Sequence, residues 1–240
     1  MKETIKAATL IIILIVPVLL YLFLHEYGRN QFKLATYIPV IDSTTGEPLI
    51  VKNKDRKGNE AAFDTVYRPI PDFKLIDQNG KEFTQAQTKG KIYVADFFFT
   101  RCGSICPKMS SQLTRFQDTF ANNKEVLIVS HSVDPENDTP AVLQKYAKEY
   151  DAVAGKWHFL TGSKKDIYNL ALKGYFIPVS DAAVYDKAIK NPDEAFIHSE
   201  KLILIDKEGH IRGFYDGTSQ KDVDRLLVET KVLLSIYENQ

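Results

Sequence analysis

Ala95-Asp96-Phe97-Phe98-Phe99-Thr100-Arg101-Cys102-Gly103-Ser104-Ile105-Cys106-Pro107-Lys108 sets a hydrophobic strand directly against the start of a helix, with two cysteines at the junction. Ile92 to Phe99 is a nearly continuous apolar run, the pattern of a strand buried on both faces. Beyond Ser104, apolar residues recur at helical spacing through Met109, Leu113, Phe116 and Phe120. Cys102 and Cys106 are the only cysteines in the 240 residues, so neither has another thiol partner within the chain. Three residues separate them, whereas the familiar redox motif has two. If residues 102 to 106 are helical, an i, i+4 pair falls on one face with Cβ atoms ~5–6 Å apart. That spacing suits two sulfurs gripping one metal ion, and it also closes to a disulfide with modest adjustment. Unpaired amides and the dipole at a helix N-terminus favour thiolate over thiol, and Arg101 adds positive charge. Such thiols are expected to be exposed and reactive.

The elements on either side follow from the same patterns. Val126 to Ser130 reads as a second buried strand. Thr139 caps a helix that begins at Pro140 and continues to Tyr150. Trp157 to Leu160 is a short strand, and Ser163 caps a helix over Lys164 to Leu172. Upstream, Phe73–Asp77 and Lys81–Thr84 flank Gln78-Asn79-Gly80, a strong hairpin signal. Downstream, Lys201–Ile205 and His210–Tyr215 bracket a second turn, and an amphipathic helix runs from about Ser219 to Ile236. Alternating strands and helices predict an α/β fold with a central mixed β-sheet flanked by helices, its terminal hairpin adding antiparallel edge strands. The layout is thioredoxin-like: the cysteines open the first helix after the first long strand. Sites in such folds lie at the carboxyl ends of the parallel strands.

The N-terminus has a different character. Ala7 to Leu24 is 18 residues without a charge, and at ~1.5 Å per residue it nearly spans the apolar core of a bilayer. Lys2 and Lys6 precede it and favour a cytoplasmic N-terminus, a bias reduced by Glu3, Arg29 and Lys33. Bulky Tyr21 to His25 offers no small-x-small cleavage site, and no cysteine there can take a lipid. Residues 1–24 are therefore expected to form an uncleaved transmembrane helix, a single-pass anchor in the cytoplasmic membrane, with a cleaved signal peptide as the competing reading. Residues 25–66 read as a stalk or tether, and residues 67–240 as the domain. The domain would sit on the extracytoplasmic side, where disulfides persist. Zero net charge argues against nucleic acid as a partner.

Two thiolates do not complete a metal site. Zinc ordinarily takes four ligands, and there is no second cysteine pair. Two sulfurs and one imidazole make a trigonal site that accommodates copper, so a histidine has to be found. His25 borders the apolar span, His210 lies in a hairpin turn, and His158 alternates within a short strand beside Trp157. His131 ends the second long strand and is a candidate for the surroundings of the site. His198 precedes the strand Lys201–Ile205 and follows a loop expected to face the cysteine helix. Geometry alone leaves its role as a ligand open.

Taken together, these segments resemble the Sco/SenC family. They are Asp96 to Thr100 leading into Cys102-x-x-x-Cys106-Pro107, Ser132-Val133-Asp134-Pro135 with Asp138-Thr139-Pro140, Trp157 to Gly162, and His198-Ser199 before a strand ending Leu204-Ile205-Asp206. The resemblance covers roughly Tyr67 to the C-terminus. It implies a membrane-anchored copper protein of thioredoxin fold, in which Cys102, Cys106 and His198 bind copper as Cu(I) or Cu(II). It implies a metallochaperone that assists assembly of the binuclear copper centre of cytochrome c oxidase, by giving copper to that subunit or by reducing its cysteines. Asp134 matches a family position near the site, where a carboxylate orients or tunes the ligands; as residues alone, Asp134-Pro135 reads equally well as a turn. Gly103, Ser104 and Ile197 depart from residues common in the family without removing a ligand. Other functions compatible with the pair are a membrane-anchored thiol-disulfide oxidoreductase needing no metal, with Cys102 and Cys106 as its redox disulfide, another copper acceptor as partner, and a copper or redox sensor.

Overall fold

A computed structural model describes residues 2–27, 34–54, 60–181, 196–197 and 199–238. The chain divides into two units, Met1–Lys33 with Ser235–Gln240, and Leu34–Leu234. In the first, helix α1 (Lys2–Tyr27) contains Pro17 and exposes its described apolar side chains from Ile11 to Phe23. Among the described residues no helix is long and apolar enough to cross a membrane.

The second unit is built on a seven-stranded sheet. Its strands are β3 (Lys74–Asp77), β4 (Glu82–Thr84), β5 (Ile92–Phe98), β6 (Val126–Ser132), β7 (Trp157–Thr161), β10 (Lys201–Ile205) and β11 (Ile211–Asp216), in the order β11-β10-β5-β6-β7-β3-β4. Strands β5, β6 and β7 are parallel, and hairpins close both edges antiparallel. All seven residues of β5 and of β6 are buried, as their unbroken apolar character requires of central strands covered on both faces. This is the mixed α/β, thioredoxin-like architecture expected from the order of elements.

Helices α2 (Ile105–Thr119) and α3 (Pro140–Glu149) make the two crossovers between the parallel strands. Helix α2 buries Cys106, Met109, Leu113 and Phe116, the residues its period selects. Thr139 caps α3 by accepting from the Val142 amide, and Pro140 takes the first helical position. Ser163 caps α4 (Lys164–Asn169), which widens into a π-helical turn over Leu170–Gly174. The last helix, α5, runs from Gln220 to Glu238. The Asn79-Gly80 hairpin carries a left-handed Gly80 (φ 73°), and the Asp77 carboxylate accepts from the Asn79 and Lys81 amides at 2.8 Å each. At the opposite end of the sheet from the cysteines, the buried Lys156 ammonium donates to the carbonyls of Phe120, Asn123 and Val126.

Part of the segment read as a stalk is ordered on the domain. Leu34 and Ala35 offer their carbonyls to the Arg212 guanidinium at 2.9 Å each, and the Tyr37 amide donates to the Ile211 carbonyl at 2.9 Å. Beyond Ile38, whose positive φ of 62° turns the chain away, β1 (Ile50–Lys54) and β2 (Glu60–Thr65) pair antiparallel. Strands β8 (Ser180–Asp181) and β9 (Phe196–Ile197) form a separate short pair.

Candidate metal centre

Strand β5 ends at Phe98, and residues 99 to 104 turn the chain into α2. This turn is fixed by Asp138. The Thr100 hydroxyl donates to Asp138 Oδ1 at 2.5 Å, and the Thr100 amide to Oδ2 at 3.2 Å. The Ser132 hydroxyl, at the end of β6, donates to Oδ2 at 2.5 Å. One buried carboxylate thereby joins the ends of two parallel strands to the entry of α3. Burial, partly offset by these donors, raises its pKa above the ordinary carboxylate value.

Asp134 forms a second tie. Arg101 Nε and Nη2 donate to its Oδ2 at 3.1 and 2.7 Å, and Asn137 Nδ2 donates to its Oδ1 at 2.9 Å. The carboxylate is buried while the Arg101 side chain is 46 % exposed. Asp134 thus holds the residue that immediately precedes Cys102, and its oxygens are engaged by Arg101 and Asn137.

Cys102 is held by its amide, which donates to the Phe99 carbonyl at 3.2 Å. Its Sγ accepts from the Cys106 amide at 3.3 Å, an orphan donor of the first turn of α2. The formal cap, Ser104, makes no side-chain cap hydrogen bond, and the Cys102 sulfur does that work instead. The Cys106 thiol hydrogen-bonds the Cys102 sulfur, and this contact, then burial, then the Cys102 charge push its pKa strongly upward. The pair is thus asymmetric: Cys102 receives a helix amide, and Cys106 holds its proton. Both are reduced and buried, Cys102 keeping 6 % exposure and Cys106 none. The expectation of exposed thiols fails: Cys106 faces the core with Met109, Leu113 and Phe116 along α2, and Cys102 is buried at its start.

Behind Cys106 lies Asp96, a fully buried carboxyl on β5. It accepts from the Ser130 hydroxyl at 2.5 Å, and burial pushes its pKa up to about 7. Trp157 Nε1 in turn donates to Ser130 Oγ at 2.9 Å. Tyr146 on α3 hydrogen-bonds Ser110 at 2.8 Å and packs its ring 5.1 Å from Phe98.

The histidines separate clearly. His131 is not beside the cysteines. Alternation along β6 sends its ring to the face opposite Ser130 and Ser132, among Phe73, Phe97 and Tyr175. It is fully buried, and burial holds its pKa near 4. His158 packs 4.6 Å from Phe83. The described residues bring three metal-capable groups together at Asp206, Glu208 and His210, but Arg212 already sits 3.0 Å from Asp206 Oδ2. His198 and the side chain of His25 lie outside the described residues. Strand β10 runs antiparallel to β5, with Ile203 opposite Ala95, so the chain enters β10 at the end of the sheet where β5 leads into Cys102.

Sequence reasoning placed Asp138 and Asp96 only within the segments that resemble the family and missed what their carboxyls do. It also missed Tyr146, whose type and spacing carry no local signal.

The family model described as SCO1/SenC matches residues 64–233, and the chain belongs to this family. A relative described as an SCO1 protein homolog of Bacillus subtilis is 34% identical over 179 residues, covering 72% of this chain and 87% of the relative. A SCO1/SenC family lipoprotein of Bacillus anthracis has a structure with a TM-score of 0.62 at 30% identity, covering 69% of this chain and 95% of that one. BsSco, described as a member of the Sco family of cytochrome c oxidase assembly proteins with a disulfide switch, gives 0.58 at 32% identity, covering 69% and 92%. Arabidopsis thaliana ScoI, crystallised with copper bound, gives 0.55 at 30% identity, covering 71% and 99%.

Replacing Asp138 by Ala strands the donors of Thr100 and Ser132. It is expected to lower stability by roughly 2–4 kcal/mol in urea unfolding and to speed alkylation of Cys102. Unchanged alkylation would show that the turn does not depend on this carboxyl.

Asp96 and His131 act oppositely on stability. The native state holds the Asp96 proton from the ordinary value of 3.8 up to about 7, so this group's stabilisation is lost as pH rises through that window. His131 is kept neutral from 6.5 down to about 4, so its stabilisation is lost as pH falls. Relative to wild type, Asp96→Asn should therefore gain stability from pH 4.5 to 6.5 and His131→Leu should lose it, each by up to about 1.4 kcal/mol per pH unit. Urea titrations across that range with parallel curves for all three proteins would refute the assignment.

Proposed function

We propose that this SCO1/SenC family member is a membrane-anchored copper metallochaperone that supplies the copper centre of cytochrome c oxidase. The copper is cargo, held by Cys102, Cys106 and His198. The observation that carries the reading is the hydrogen bond from the Cys106 amide to the Cys102 sulfur, which sets the two buried cysteines together at the start of α2. Soft, adjacent donors shielded from water fit copper, and the buried carboxylate of Asp134 is already engaged by Arg101. The copper-bound Arabidopsis relative supports the metal, and BsSco, described as a member of the Sco family of cytochrome c oxidase assembly proteins, supports the acceptor. His198 is assigned as the third ligand because it lies three residues before Lys201, where β10 begins beside the end of β5. Asp134 serves by fixing Arg101 and hence the approach to Cys102. Copper binding displaces the proton that Cys106 holds, so affinity should fall with acidity.

The anchor is α1. Its 18 uncharged residues, Ala7–Leu24, are helical, and those described expose apolar side chains, which a bilayer would cover. The lipoprotein from Bacillus anthracis is consistent with a membrane location. The domain then lies on the extracytoplasmic side.

The same hydrogen bond favours one further activity at this site. The Cys102 sulfur, supplied with a helix amide, can attack a disulfide in a partner and release one partner thiol. The Cys106 thiol then resolves the mixed disulfide and releases the second. One disulfide forms here as one is reduced there, with two electrons transferred. BsSco, with its disulfide switch, offers a parallel.

Copper titration of the full chain in detergent tests the copper reading. One copper per chain is expected, with tight binding lost in Cys102→Ala and Cys106→Ala and weakened at least ~100-fold in His198→Ala. A His198→Ala protein that binds copper as wild type does would remove His198 from the site.

A further inference from the structure

Cys102 and Cys106 do not offer the same access. Cys102 keeps 6 % exposure and Cys106 none, so an incoming group meets Cys102 first. The residue just before it is Arg101, whose side chain is 46 % exposed. How this side chain is held decides what it can still do. Its Nε and Nη2 both donate to one oxygen of Asp134, Oδ2, at 3.1 and 2.7 Å. A guanidinium carries five N–H donors in a rigid plane, and this side-on grip engages two of them. The outer edge, formed by one N–H of Nη1 and the second N–H of Nη2, has no hydrogen-bond partner among the described residues.

The edge is also fixed in direction. Asn137 Nδ2 donates to both oxygens of Asp134, at 2.9 and 3.1 Å, and the Asp134 amide donates to Ser132 Oγ at 3.1 Å. Asp134 is thereby locked, and Arg101 with it, so little side-chain freedom is left to lose when a partner arrives. Glu136, two residues beyond Asp134, pairs with Lys164 at 3.9 Å and leaves the outer edge uncovered.

The chemistry of that edge selects its occupant. Two parallel N–H donors match the two oxygens of a carboxylate. A phosphate dianion asks for more positive charge than one arginine whose charge Asp134 already offsets, and no second cation hydrogen-bonds Asp134. A single carboxylate on the surface of a protein fits both the geometry and the charge.

We propose that Arg101 is the recognition group for the protein that takes copper, its outer edge gripping an aspartate or glutamate beside that protein's cysteines and so bringing an acceptor thiol to Cys102. This rests on the copper reading of the site. In the exchange the bond from copper to the acceptor sulfur forms as the bond to Cys102 breaks, the proton of the acceptor thiol passes to Cys102, and no electron moves. Asp134 acts through Arg101, as a positioning residue.

Synthetic dithiol peptides test this. One Glu is stepped through the positions flanking the two cysteines, and each peptide has a Gln counterpart. Full-length protein in detergent, loaded with Cu(I) and kept free of oxygen, is mixed with each peptide, and transfer is followed by quenched flow and metal analysis. The same peptides closed as disulfides, offered to the metal-free reduced protein, follow thiol exchange. At least one Glu placement is expected to outrun its Gln counterpart by roughly 3- to 10-fold at low salt. That advantage should shrink as salt is added, vanish in Arg101→Gln, and survive only in part in Arg101→Lys, which keeps the charge but not the fork. The Glu–Gln comparison on the wild-type chain needs no altered protein, so a variant that misfolds does not decide the result. Equal rates for every Glu and Gln pair, or a Glu advantage that Arg101→Gln keeps in full, overturn the recognition role and leave copper binding standing. A chain that takes up no copper overturns the copper reading, while an Arg101-dependent Glu advantage in disulfide exchange sustains the carboxylate edge.

Discussion

The site depends on one buried carboxyl. Asp138 accepts from Thr100 at the end of β5 and from Ser132 at the end of β6, while its own backbone leads into α3. The Asp138 carboxyl accepts from the two hydroxyls and from the Thr100 amide, and so closes the turn that carries Cys102. Removing such a group is costly because the donors it serves are out of water. Its cost in desolvation is visible as a raised pKa, offset by its donors.

The held turn gives the two cysteines different tasks. Cys102 receives an amide from the first turn of α2, and Cys106 keeps its proton against that sulfur, with burial adding to the effect. A pair arranged in this way needs little movement either to close on itself or to close on a soft ion. Arg101, pinned by Asp134, lies at the exposed side of the same turn. One geometry therefore suits either metal transfer or thiol exchange, and His198, the ligand proposed to distinguish them, lies three residues before Lys201 in the chain.

Much of this was legible in the sequence, for physical reasons. β5 and β6 announce themselves because strands covered on both faces must be apolar throughout. The caps at Thr139 and Ser163 and the turn at Gly80 are local chemistry, and local chemistry is readable. The cysteine pair was readable for the same reason. His131 was misplaced because its distance from the site depends on which face of β6 it occupies, and a strand buried on both faces gives no alternation to decide that. The roles of Asp138 and Asp96 went unread because the partners Thr100 and Ser130 lie 38 and 34 residues away. Residues 25–66 read as a stalk or tether from their turn-formers and charged stretch, while the docking of residues 34–37 depends on Ile211 and Arg212, far along the chain.

The central claim is that two sulfurs and one imidazole hold copper in this chain. X-ray absorption at the copper edge of the loaded full-length protein tests it most directly. The account predicts two sulfur neighbours together with the multiple-scattering signature of imidazole, and loss of that signature in His198→Ala. A copper site with fewer than two sulfurs, or an imidazole signature that survives in His198→Ala, would contradict it.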